Sequence, residues 1–268
     1  MPTFTADDGV HLSYSEHGSS QGRPVVLVAG FKAAATSWAP QQKALAKAGY
    51  RVVSFDRRGH GLSERPATGA TMARHGRDLA NLLDRLGLQR VVLVGGSMGG
   101  SAIWAYVASL GTERVRAIAI VDQTPKMLNA PDWPHGFYDY TDENRDTLFA
   151  ETVPNPGRVS IASKGPVRIA RLLRALGGGE RRELTEPEKQ LLNDHAKADW
   201  RSTIRRTDVP VLFVAGRDSE FWPAEHAAAA AALAPHGSSV VLERDGHAAN
   251  IEQPRRFNRE LLAFLERV

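Results

Sequence analysis

Short continuous runs of β-branched and apolar residues recur along this chain between stretches with helical spacing. That alternation constrains the fold more than any other feature. Val25–Ala29 (VVLVA), Arg51–Phe55, Val91–Val94, Val115–Val121, Val209–Ala215 and Ser239–Leu242 read as strands. The most apolar of them are hydrophobic at every position, as strands covered on both faces must be. His11–Glu16 alternates instead, as a half-exposed strand does. Between the strands, Met72, Leu79, Leu82, Leu83 and Leu86 mark an amphipathic helix that Gly87 ends. Thr36 or Ser37 can cap a helix carrying Trp38, Leu45 and Ala48, with Gly49 as its stop. Further helices are expected from Ser97 to about Leu110, over Pro223–Leu233, and over Pro254–Leu265 with Phe257, Leu261, Leu262 and Leu265 inward. The alternation predicts an α/β architecture, a mostly parallel open sheet with helices on both faces.

The rhythm breaks between residues 123 and 205. That segment is expected to be a helical cap inserted into a core formed by residues 1–122 and 206–268. Its Trp133, Phe137, Tyr138 and Tyr140 either roof an apolar acyl pocket or simply pack the cap. Ile169, Leu172, Leu173 and Leu176 fall at i, i+3, i+4 and i+7, and Gly177–Gly179 should end that helix. Thr185 and Glu188 form a capping box for the next one. Arg168, Arg171 and Arg174, flanked by Arg158, Lys164, Arg181 and Arg182, read as a solvated helix face, with an anionic substrate as the sharper alternative.

The chemistry centres on Gly95-Gly96-Ser97-Met98-Gly99, a G-x-S-x-G placed between a buried strand and a helix. A serine on so sharp a turn sits in strained backbone, lifted off the sheet beside a helix N-terminus, while nearby glycines avoid clashes. Ser97 is therefore the expected nucleophile. It needs a base, and the base an orienting acid. His247, in Asp245-Gly246-His247 after the last strand, is the expected base. His60, in Asp56-Arg57-Arg58-Gly59-His60-Gly61, reads as a turn residue beneath the site. Asp218 (Gly216-Arg217-Asp218) and Asp122 (Val121-Asp122-Gln123) both follow strands and both satisfy the order Ser…Asp…His. Asp218 is the expected partner, being nearer His247 in sequence, and Asp122 is the competitor. The oxyanion donors should be the backbone N–H groups of Met98 and Phe31, with Gly30 allowing the tight turn. Gly30, Phe31 and Lys32, with Trp133, Phe137 and Tyr138, are the candidate substrate-binding residues.

These pieces together resemble the α/β-hydrolase superfamily over nearly the whole chain. The matching segments are Ala29-Gly30-Phe31, Asp56–Ser63, Gly95–Gly100, Gly216-Arg217-Asp218, and Gly246-His247 followed by Glu252-Gln253-Pro254. The Ser97-Met98-Gly99-Gly100 segment is similar to that of esterases and cofactor-free bacterial haloperoxidases, whereas the first loop departs from the usual His-Gly pair. The resemblance implies an acyl-enzyme mechanism on a small or medium ester or lactone, without a cofactor. Perhydrolysis or carbon–carbon bond hydrolysis on the same triad is the alternative, and a non-catalytic ligand-binding protein the remote one. A serine nucleophile argues against the branches that use aspartate.

Composition narrows the rest. The 268 residues are 42% hydrophobic, which excludes wholesale disorder. No cysteine is present, which excludes disulfides, thiolate nucleophiles and cysteine-bound metals. No two histidines form H-x-x-x-H, so no metal is expected. A net charge of +4 with interleaved signs argues against nucleic acid as a partner. The opening MPTFTADDGVHLSY has neither the basic nor the apolar part of a signal peptide, and no apolar run approaches membrane length. A cytoplasmic protein without a membrane partner is expected.

Overall fold

The computed structural model describes residues 1–176 and 183–268. Its eight strands are β1 (Thr3–Thr5), β2 (His11–His17), β3 (Pro24–Val28), β4 (Arg51–Phe55), β5 (Val91–Gly96), β6 (Val115–Val121), β7 (Val211–Gly216) and β8 (Gly237–Leu242). They form one sheet in the order β1-β2-β4-β3-β5-β6-β7-β8. β1 and β2 pair antiparallel at one edge, and every pairing from β4 to β8 is parallel. The helices are α1 (Ala39–Lys47), α2 (Met72–Arg85), α3 (Met98–Leu110), α4 (Gly165–Leu176), α5 (Glu186–Lys197), α6 (Arg201–Arg205), α7 (His226–Ala231), α8 (Ala249–Glu252) and α9 (Pro254–Arg267). This is the mostly parallel α/β sheet that the alternation predicts.

Alternate residues of each central strand feed two different cores. Val26, Val28, Leu93, Ile118 and Ile120 face α2 and α3, among Leu79, Leu83, Ile103 and Trp104. Val25, Leu27, Val92, Val94, Ala117 and Ala119 face α1 and α9, among Trp38, Leu45, Phe257 and Leu261. Full burial of such side chains is worth about 1.5–3 kcal/mol each, which holds both helical layers to the sheet. Local signals set the helix ends. Thr71 Oγ1 accepts from the Arg74 N–H at 3.2 Å to start α2. Thr185 starts α5, its N–H donating to Glu188 Oε2 at 2.9 Å.

The chain switches sides between β3 and β5, because β4 lies on one flank of β3 and β5 on the other. A crevice opens at the carboxyl ends of strands at such a point. The loops after β3 and β5 meet there. The long excursion between β6 and β7 holds α4, α5 and α6 and, among the described residues, no named strand. In α4 the apolar spacing does not mark a buried face: Leu173 and Leu176 are exposed and none of its residues is fully buried. The glycine run Gly177–Gly179 expected to end it, with Arg181 and Arg182, lies outside the described residues.

Candidate active site

Ser97 sits between β5 and α3 with φ +51° and ψ −129°, a left-handed conformation that costs a serine energy. The surroundings hold it there. Its N–H donates to Val121 O at 2.9 Å, and its carbonyl accepts from the Gly100 N–H at 2.8 Å. A side chain at Gly99 would put its Cβ 2.2 Å from Val28 O, so only glycine lets α3 start this close to β3. The loop after β3 presses on the serine itself: a Cβ at Gly30 would stand 3.2 Å from Ser97 Cβ.

His247 follows β8, and its Nδ1 lies 2.8 Å from Asp122 Oδ2. Asp122 is wholly buried at the end of β6, with φ +45°. Its Oδ1 accepts from the Gly216 N–H at 2.9 Å and its Oδ2 from Ser219 Oγ at 2.6 Å. His226 Nε2 stands 3.6 Å from Oδ1, an electrostatic contact too long for a hydrogen bond. Burial alone would raise the Asp122 carboxyl. The His226 and His247 imidazoles outweigh it and hold the group well below the usual carboxylate range. An ionised carboxylate only accepts, so Nδ1 of His247 carries a proton, and it is the tautomer with Nε2 as acceptor that the neutral ring adopts. The ring is fixed edge-on between Phe221 and Trp222, at centroid distances of 4.5 and 5.3 Å. Its backbone N–H donates to Glu220 Oε2 at 2.9 Å.

The expected pairing of Asp218 with His247 is corrected by this geometry. The Asp218 N–H donates to Asp245 O at 2.8 Å, and among the described residues no hydrogen bond joins the Asp218 carboxylate to His247. Nearness in sequence misleads here. β6 lies beside β5, the strand that ends at the serine, and the positive φ of Asp122 turns its carboxylate inward.

Ser97 and His247 line one cavity of about 270 Å³. Its walls include Gly30, Phe31, Met98, Phe137, Phe149 and Phe221, so the predicted Gly30, Phe31, Met98 and Phe137 are brought together. Phe31 N–H has no acceptor among the described residues, and Met98 opens a helix where an N–H has no intrahelical partner. Lys32, Trp133 and Tyr138 do not line the cavity. Lys32 is exposed on a left-handed turn. Trp133 is buried elsewhere, its Nε1 donating to Thr124 Oγ1 at 3.0 Å. The Tyr138 ring lies under Arg158, 4.9 Å from its guanidinium carbon.

Further side chains brace the site. Arg57 is buried and spans both loops: Nε donates to Ala29 O at 2.9 Å and Nη2 to Gly30 O at 2.8 Å, while Nη1 is 3.6 Å from Met98 Sδ. His75 and His60 contact the same guanidinium at 3.0 and 3.2 Å, which gives His60 the supporting place read for it. Lys164 Nζ bonds Glu220 Oε1 and Glu252 Oε1, each at 2.6 Å. Arg168 joins Glu252 Oε2, and Arg171 Nη1 donates to Glu252 O at 2.7 Å. Two of the arginines read as a solvated face thus tie α4 to the turn behind His247. Nothing in their helical spacing distinguishes an arginine facing water from one facing a buried glutamate.

A family model for the alpha/beta hydrolase fold matches residues 23–254. The chain belongs to that family of enzymes. It is 30% identical to a non-heme chloroperoxidase of Streptomyces lividans, over 99% of this chain and 100% of that one. It is 26% identical to a bifunctional esterase/perhydrolase of Acinetobacter calcoaceticus, over 99% of both. The crystal structure of a bromoperoxidase from Bacillus anthracis superposes with a TM-score of 0.76 at 25% identity, covering 99% of this chain and 100% of that one. Among the described residues no helix is long and apolar enough to cross a membrane, and no group of three or more histidine or acidic side chains could hold a metal.

Proposed function

We propose that this protein is a serine hydrolase of small or medium carboxylic esters and lactones, with Ser97 as nucleophile, His247 as base and Asp122 as the orienting carboxylate. The observation that carries this reading is the 2.8 Å contact of Asp122 Oδ2 with His247 Nδ1, in a histidine sharing an apolar cavity with a strained serine. His247 Nε2 takes the Ser97 proton as Oγ attacks the ester carbonyl. The oxyanion rests on the N–H groups of Phe31 and Met98. The intermediate collapses, the alcohol leaves with the proton from His247, and an acyl-enzyme remains. Water then attacks through the same base, releasing the carboxylic acid and restoring Ser97. Residues 123–205 serve as the cap that keeps bulk water from this site.

A second reading rests on the likeness to haloperoxidases and to an esterase/perhydrolase. Hydrogen peroxide in place of water would attack the same acyl-enzyme and release a peracid, which oxidises halide in solution. Carbon–carbon bond hydrolysis has no comparable support. The test is turnover of p-nitrophenyl esters of graded chain length and of lactones, with and without a fluorophosphonate, and of acetate with hydrogen peroxide. Phosphonylation of Ser97 with loss of all turnover supports the reading. Full turnover after labelling, or in Ser97→Ala, overturns it.

A further inference from the structure

The cavity wall is apolar except at a few side chains. Ser97 and His247 belong to the reaction. Ser37 Oγ donates to Ala34 O at 2.7 Å, and the indole N–H groups of Trp38 and Trp222 are sealed away from the space. Two polar side chains remain, His195 on α5 and Asn250 on α8. They are 5% and 7% exposed, yet neither side chain has a hydrogen-bond partner among the described residues.

Buried polar groups are almost always paired, and each unpaired one costs about 1–3 kcal/mol. Two beside one nucleophile therefore call for a partner from the contents of the cavity. The chemistry of His195 says which kind. Its Nδ1 is sealed in the protein without a partner, which leaves Nε2 as the nitrogen that reaches the cavity. An orphaned acceptor is tolerated better than an orphaned N–H, so Nδ1 holds the lone pair and Nε2 the proton. Burial, then the Arg57 guanidinium and the neighbouring His247 imidazole, keep the ring neutral by pressing its pKa down to about 3. His195 accordingly offers one uncharged N–H donor, which suits a neutral oxygen because it brings no charge to offset burying an anion in this apolar wall, and the Asn250 amide offers a donor and an acceptor.

We infer that the substrate carries, besides the ester group attacked by Ser97, a second neutral oxygen function, a ketone or hydroxyl, which His195 Nε2–H binds and Asn250 helps to select. This rests on the proposed ester hydrolysis and names its substrate class, an oxygenated rather than a plain aliphatic ester. A site built to hydrogen-bond a substrate oxygen discriminates against the analogue lacking it, because its own polar groups are then left unpaired.

The experiment compares ethyl 3-oxohexanoate with ethyl hexanoate. The readout is the ratio of their kcat/KM values, in which folding yield and loss of active protein cancel. In His195→Leu this ratio should fall about tenfold from the wild-type value, the worth of one neutral hydrogen bond. His195→Gln, which keeps a donor, should retain a larger share of it, and Asn250→Leu should lower it as well. The Ser97→Ala protein, titrated with both esters by tryptophan fluorescence, should bind the oxo ester more tightly without turning it over. A ratio unchanged in His195→Leu, with Ser97→Ala inactive, overturns this inference and leaves the hydrolase reading standing. Turnover surviving in Ser97→Ala, with the binding preference intact, would remove the nucleophile assignment and leave the recognition role of His195.

Discussion

Asp122 and His247 lie 125 positions apart in the chain and 2.8 Å apart in the fold. Asp122 is also held by Gly216 and Ser219, so one buried carboxylate joins the ends of β6, β7 and β8. If it fixes the His247 tautomer, Asp122→Asn should lower kcat about 10⁴-fold, since the amide favours the wrong tautomer. Asp218→Asn should cost at most a few-fold. Steady-state kinetics of both variants on one ester decide the matter. A large loss at Asp218 alone would return the role to it.

Arg57 should govern the oxyanion loop without touching substrate. Its guanidinium holds the carbonyls of Ala29 and Gly30, just before the proposed Phe31 donor. Loss of one aimed donor costs about 10²–10³ in kcat. Loosening it through Arg57→Met should cost less, about 10–100-fold, with KM nearly unchanged. Arg57→Lys, which keeps one donor, should recover part of the rate. A rise in KM at constant kcat would assign Arg57 to ground-state binding instead.

The bridge from Lys164 to Glu220 and Glu252 is buried, so removing the cation leaves Glu220 without a cation and Glu252 with Arg168 alone. Lys164→Met should destabilise by about 3–5 kcal/mol, the cost of breaking a buried pair. Lys164→Met/Glu252→Gln should be less destabilised than Lys164→Met. Urea midpoints of the two proteins measure this, and equal midpoints would mean that Glu252 gains nothing from Lys164.

Acid should unfold the protein through its buried histidines. Burial, then Arg57, presses His60 down to about 3 and His75 well below its ordinary value, and His195 is held near 3. Between pH about 6.5 and about 3 the unfolded chain therefore binds protons that the folded one refuses. Stability is full above that window and falls as pH drops through it. The urea midpoint should be clearly lower at pH 4.5 than at pH 7. A midpoint independent of pH would show these rings to be protonated in the fold.

Asp245 works in the opposite sense. Its carboxyl is buried with both oxygens unpartnered, and burial, then Glu252, push it up to about 8. From about pH 4 to 8 the unfolded chain has released a proton that the folded one keeps, so this residue lowers stability as pH rises. Asp245→Asn removes that slope. The Tm gain of the variant should be larger at pH 8 than at pH 5, and a gain that shrinks with pH would contradict the shift.

What the sequence determined by itself was whatever depends on neighbours in the chain. Mostly apolar, β-branched runs located β4 and β6 to the residue, because burial on both faces leaves a local signature. The strand–Gly-x-Ser-x-Gly–helix setting put Ser97 on its turn, and His247 follows the last strand; the fold brings the two to one cavity. The lateral order of strands has no such signature. It placed β6 beside β5, and with it put Asp122 rather than Asp218 against His247. The direction of a helix face is equally non-local: Arg168 and Arg171 turned to Glu252, while Leu173 of the same helix turned to water. Trp133 and Tyr138 have the composition of pocket residues but are packed elsewhere. His195 and Asn250 carried no signal, since an unspent hydrogen bond exists only once the rest of the cavity has closed around it. Spacing along a chain reports periodicity, whereas pairing between distant segments is a property of packing, and only the tertiary structure decided it.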